Sequence, residues 1–95
     1  MNLHELRAFK PQILAAAEAN RAENVRVFGS VARGDETATS DVDLLVSLLP
    51  DADVFDIAGL HVTLNELLPC KVDIVPDESV DPLLYAYVFK DAVPL

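Results

Sequence analysis

Three short β-rich runs, each cut off by a turn residue and separated by helical patterns, constrain this chain more than any other feature. Val25-Arg26-Val27-Phe28 runs into Gly29-Ser30, Asp41 to Leu48 gives way to Pro50, and Lys71-Val72-Asp73-Ile74-Val75 stops at Pro76. The middle run alternates, with Val42, Leu44 and Val46 facing one way and Asp41, Asp43 and Leu45 the other. Leu3, Leu6 and Phe9, then Ile13, Leu14 and Ala17, recur at helical spacing. Pro11 interrupts them, which predicts a short helix, a break, and a second helix through about Ala19 with Asn20 as a left-handed stop. Ser30 is placed to cap a short helix through Val31, Ala32 and Arg33, and the polar stretch from Gly34 to Ser40 reads as loop. Val54, Ile57, Leu60, His61, Leu64, Leu67 and Leu68 mark an amphipathic helix that Pro69 ends. Asp81-Pro82, an N-cap followed by a helix-starting proline, opens a last helix. The order α-β-α-β-α-β-α predicts a small layered α/β (or α+β) domain.

At 95 residues the chain supports one core, hence a single domain over residues 1–95. Hydrophobic residues make up 52%, too many for a disordered chain. Its net charge of −9 is unevenly spread: residues 1–33 hold five basic and three acidic groups (+2), residues 34–95 two and thirteen (−11). Direct nucleic-acid binding needs a cationic footprint that is missing, whereas a basic partner or a cation suits such a surface. The lone Cys70 excludes an internal disulfide and a cysteine zinc cluster, and fits a cytoplasmic protein. No apolar run approaches the roughly 18 residues of a membrane span, and MNLHELRAFK has mixed charge without the hydrophobic core expected of a signal peptide.

Asp41 and Asp43 stand two apart on a predicted strand, so both carboxylates leave the same face. Like charges that close raise one another's pKa unless a cation compensates, and a hard divalent ion such as Mg²⁺ prefers oxygen ligands. Asp73 repeats the placement on another strand, between the core-facing Val72 and Ile74. Three carboxylates from two strands could hold two metal ions in the arrangement that clamps a phosphoryl displacement. An isolated D-x-D is equally a solvated strand face. Gly29, lacking a Cβ, lets backbone approach a phosphate; Ser30 and the N–H groups of the next turn can donate to it, and Arg33 offers a planar fork. Taken alone, Gly-Ser is equally an ordinary turn, and its surroundings lack the spacing of a P-loop.

Together, G-S-V-A-R-G-D, five further residues ending in Ser40, and D-V-D-L-L-V resemble the nucleotidyltransferase signature of the DNA polymerase β superfamily. The chain is most similar to its minimal nucleotidyltransferase group, whose members act as antitoxins beside HEPN-domain toxins. The likeness takes in V-R-V-F-G-S, K-V-D-I-V and the short first and final helices, nearly the whole chain. It implies a small mixed sheet of about three strands flanked by helices. Gly29 and Ser30 would then bind nucleotide phosphates, with Arg33 and Ser40 supporting that loop. Asp41, Asp43 and Asp73 would be catalytic metal ligands, Asp73 also activating the acceptor hydroxyl. Asp35 stands where many members carry glutamate. The implied activity is Mg²⁺-dependent transfer of AMP from ATP to a hydroxyl, a tyrosine on a HEPN toxin. A non-catalytic acidic antitoxin that occludes its partner is the alternative; a third reading is transfer to a small molecule or RNA end with help from another subunit.

Other residues carry plainer expectations. His61 reads as a partly buried histidine, Tyr85 and Tyr87 as packing residues, and Cys70 as structural, although Lys71 could lower its pKa. Lys71 shares the strand face of Asp73, where it could touch phosphate or neutralise the acidic patch. From Leu83 to Phe89 the chain reads L-L-Y-A-Y-V-F without a charge. One helix buries only one side against a small core, so an apolar remainder should face a partner, a second copy or solvent.

Overall fold

Short-range signals set the helix ends. In the computed structural model, which describes residues 1–95, Asn2 and Glu5 close a capping box over α1 (Leu3–Arg7), with reciprocal bonds of 2.7 and 3.0 Å. Pro11 sits in the first turn of α2 (Lys10–Ala19), where its missing N–H would lack a helical partner anyway. The helix ends at Asn20, but Asn20 is not the left-handed residue: its φ is −113° and Arg21 takes +55°. The Asn20 amide donates to the Ala16 carbonyl at 2.8 Å, so its side chain satisfies the helix end and the reversal moves one residue on.

Strand β1 (Ala22–Phe28) starts three residues earlier than its β-rich run, because a bulge between Glu23 and Arg26, with Asn24 at φ +51°, extends the pairing. Helix α3 (Gly29–Arg33) follows at once; its N-cap is Phe28, and Ser30 lies inside the first turn rather than capping it. After β2 (Val42–Leu48), a second capping box of Asp53 and Asp56 starts α4 (Val54–Leu67), which crosses over to β3 (Val72–Pro76). Two 3₁₀ turns, Asp77–Ser79 and Pro82–Leu84, precede α5 (Tyr85–Lys90) and β4 (Val93–Pro94). Asp81 does act as a cap, its carboxylate accepting the Leu83 N–H at 2.9 Å, but what it opens is the 3₁₀ turn, and the α-helix starts only at Tyr85.

The sheet is mixed and has four strands, one more than expected, in the order β3-β2-β1-β4. β2 and β3 run parallel across the α4 crossover; β1 is antiparallel to both β2 and β4. The extra strand is only two residues long, held by Leu95 N–H donating to Val25 O and by Arg7 donating to the carbonyls of Pro94 and Leu95. α2 packs on β1, α4 on β3, and the two helices on each other. Beneath them lies one apolar cluster containing Leu6, Ile13, Val27, Val42, Leu44, Leu60, Leu64 and Val72, and no polar or charged residue is buried. Leu45 is also fully buried, although it belongs to the opposite face and stands outside that cluster. The open face therefore has a covered part and an exposed part. No helix is long and apolar enough to cross a membrane.

Candidate active site

Strand register builds the site. Asp43 pairs with Asp73 across the parallel β2–β3 ladder and with Phe28 across β1–β2, so both carboxylates leave the face opposite α2 and α4 side by side, at the strand end where Gly29 follows Phe28. Gly29 is required there twice over. Its φ of +73° is one that side chains resist, and a Cβ would collide with the Asp43 carboxylate. The turn and the carboxylate are thus built against each other. Asp41, just before β2, joins them through Lys71, whose ammonium stands 3.9 Å from Asp41 Oδ2 and 4.0 Å from Asp73 Oδ1.

Burial, followed by repulsion from Asp73 and Asp41, pushes the Asp43 carboxyl above the usual carboxylate range; the positive charges of Arg33 and Lys71 only partly offset this. The other predicted residues take mixed positions. Arg33 Nε donates to Asp35 at 3.1 Å and Nη1 to Asp91 at 3.4 Å, and these partners, Asp35 foremost, raise its pKa. Ser40 Oγ accepts the Thr37 N–H at 2.8 Å and so braces the loop before β2. Ser30 lies in the α3 turn beside Gly29.

A divalent cation suits this donor set. All three side chains offer hard oxygens, Asp43 is short of a counter-charge, and an ammonium already stands in between Asp41 and Asp73. With the side chains in these positions, no three His, Cys, Asp or Glu groups form a closed ligand set. A metal would therefore be met by carboxylates on one face that still have to turn toward it.

Several expectations need correction. His61 is exposed, because the buried stripe of α4 runs through Leu60 and Leu64 and His61 falls beyond its edge. Tyr87 is exposed by 73%, whereas Tyr85, though partly open, packs edge-to-face on Phe89 with ring centres 5.7 Å apart, outside the core. Burial raises the Cys70 thiol instead of Lys71 lowering it. At the far end of the face lies a cluster that sequence reasoning missed. Asp77 accepts from Ser47 Oγ at 2.6 Å and from Arg26 Nη2 at 2.9 Å, while the Arg26 guanidinium lies 5.9 Å from the Phe89 ring centre. Burial alone would raise Asp77, but those bonds win and hold it below its ordinary value. An open groove of about 660 Å³ runs beside it, lined by Asp77, Glu78, Tyr85, Ala86 and Phe89. Asp91 was also missed; only its partner Arg33, fifty-eight residues away, gives it meaning.

Residues 12–95 match the family model described as nucleotidyltransferase domain. A protein of Methanocaldococcus jannaschii named "Putative protein adenylyltransferase MJ0435" is 33% identical over 93 residues, covering 98% of this chain and 97% of the relative. A solved structure described as "Structure of putative minimal nucleotidyltransferase" superposes with a TM-score of 0.87 at 41% identity, covering all of this chain and 97% of its own. A second, "Crystal structure of the toxin-antitoxin with AMP-PNP", shares the fold at a TM-score of 0.74 and 23% identity, over 90% of this chain and 70% of its own.

Proposed function

The chain belongs to the nucleotidyltransferase domain family, and from that premise we propose that it transfers AMP from ATP, with Mg²⁺, to a tyrosine hydroxyl of a HEPN-type toxin whose antitoxin it is. One observation carries this reading: Asp43 and Asp73 are paired across the sheet with the Gly29 turn pressed against Asp43. The name of the Methanocaldococcus jannaschii relative supports a protein acceptor, and the fold neighbour that is a toxin–antitoxin assembly with a nucleotide analogue is consistent with it.

Gly29 lets the triphosphate approach the backbone, where N–H groups of the α3 turn and the Ser30 hydroxyl donate to phosphate oxygens. Arg33 adds positive charge from the end of the same turn, and Ser40 holds the loop that carries Asp41. Asp41, Asp43 and Asp73 would hold Mg²⁺, which when bound supplies the positive charge that stabilises the phosphates during displacement. Asp73 accepts the proton of the acceptor hydroxyl. The freed oxygen forms its bond to the α-phosphorus as the bond to the bridging oxygen breaks, and pyrophosphate leaves. The acceptor chain docks on the Pro82–Leu84 turn and α5, where Leu83 and Leu84 of the turn and Tyr87 of the helix lie open beside the groove of Tyr85 and Phe89.

That same apolar surface favours the second reading, in which the chain neutralises its partner by covering it. Intact mass of the partner separates the two after incubation with this chain, ATP and Mg²⁺. Transfer adds one or more AMP units to the partner. A partner that is inhibited yet unchanged in mass would establish occlusion and end the transfer reading.

A further inference from the structure

Lys71 has a fixed backbone and a free head. Its carbonyl accepts the Val42 N–H at 3.0 Å, which ties it to the start of β2, while its side chain is 66% exposed. The ammonium stands about equally far from Asp41 and Asp73, at 3.9 and 4.0 Å, too long for a direct hydrogen bond to either. Arg33 bonds Asp35 and Asp91, so Lys71 is the cation that stands within 4 Å of two of the three carboxylates. The carboxylate Lys71 does not touch is Asp43, the one pressed against the Gly29 turn.

We propose that Lys71 is a displaceable counter-ion of the site: it keeps Asp41 and Asp73 facing one another until a divalent cation arrives, then gives up that place and turns to the nucleotide's phosphates. This rests on the nucleotidyltransferase reading above. An ammonium at 4 Å cannot compete with a doubly charged ion that takes carboxylate oxygens at about 2.1 Å, and the two repel each other if both stay. Lysine suits the role because its charge sits on a flexible four-carbon stem, so the head can swing without moving the strand. A triphosphate gripped by the Gly29–Ser30 turn, which is pressed against Asp43 beside Asp73, would offer the displaced ammonium a new negative partner. Lys71 thus guards the empty site against carboxylate repulsion, competes with the metal, and assists the nucleotide.

The test uses Lys71→Gln and Lys71→Arg in the full chain, with Mn²⁺ as an EPR-visible probe and no nucleotide. Loss of the competing charge should tighten Mn²⁺ binding by about two- to tenfold in Lys71→Gln, the range set by two exposed ion pairs. Lys71→Arg, which keeps the charge, should return to the wild-type value. With saturating Mg²⁺, Lys71→Gln should bind ATP more weakly, raising KM more than it lowers kcat. Opposite signs for metal and nucleotide are what a merely structural lysine would not produce. Equal Mn²⁺ binding by wild type and Lys71→Gln would overturn the role of Lys71 alone. Failure of the wild type to take up either Mn²⁺ or ATP would overturn this inference together with the function it rests on.

Discussion

Asp43 lies beside Asp73 near one end of a sheet face and Asp77 opens the 3₁₀ turn that follows β3 at the other end, and the folded chain treats them in opposite ways. Asp77 is met by Ser47 and Arg26, and its charge is held below the usual range. Asp43 is met by two more carboxylates and a glycine turn, and its charge is penalised. The same residue type therefore serves stability at one end and is held at a cost at the other. Such uncompensated charge persists where something outside the chain is meant to complete it. It also explains why a satisfied aspartate and a penalised one look alike in sequence: the difference lies in what the neighbouring elements bring.

The largest effect should come from emptying the penalised end. Asp41→Asn with Asp43→Asn should reduce AMP transfer by about a thousandfold or more, since amides cannot hold the metal charge that contributes several kcal/mol to such reactions. The same pair should leave the urea midpoint unchanged or higher, because like charges have been removed. A double variant that loses stability as well as transfer would break the contrast between the two ends. One that retains transfer would take the carboxylates out of the chemistry.

The opposite end should respond in the opposite sense. Asp77→Ala leaves Arg26 and Ser47 without their acceptor and should cost about 1–3 kcal/mol in urea unfolding. The pH dependence sharpens the pairing, since one aspartate is lowered and the other raised from the ordinary value of 3.8. The contribution of Asp77 is complete above 3.8 and is lost as pH falls through its lower folded value, so the deficit of Asp77→Ala should close only in acid. The penalty on Asp43 is absent below 3.8 and complete above its raised folded value, so the advantage of Asp43→Asn should open as pH rises through that window. Two curves that move together would mean the ends are not distinct.

The carboxylate motif and the three main strands were legible because they depend on local spacing. Alternation put Asp41 and Asp43 on one side of β2, and glycine and proline marked where strands stop. Pairing between distant residues was not legible. β4 is two residues long and exists because Val25 and Arg7 hold it, and nothing in either residue points to a partner strand near the end of the chain. Arg33 matched a phosphate-contact position, yet its hydrogen bonds go to Asp35 and Asp91, and Arg26 found Asp77 fifty-one residues on. Acidic residues are so frequent in the second half of this chain that no pattern picks out which of them a given arginine will meet. The α5 surface was legible from composition alone. Seven uncharged residues exceed what the Pro82–Leu84 turn and the short α5 can hide, and Leu83 in the turn is 91% exposed.

The smallest effect on the isolated chain should come from the Pro82–Leu84 turn that leads into α5, next to the well-satisfied end. Phe89 lies beneath the Arg26 guanidinium and lines the groove with Asp77, Glu78 and Tyr85, so this part of the face is both internally paired and outwardly apolar. Leu83→Glu places a charge where the side chain already stands in water; no desolvation penalty arises, and unfolding stability should stay within about 0.5 kcal/mol. The Asp81 cap is untouched, because it binds the backbone N–H of residue 83 and not its side chain. Association should suffer, since a partner covering this surface would have to bury the new carboxylate without a counter-charge. Sedimentation of the variant with and without its partner measures the loss directly. A variant that binds as wild type does would move the docking surface elsewhere and leave α5 as a cover for the Arg26–Asp77 pair alone.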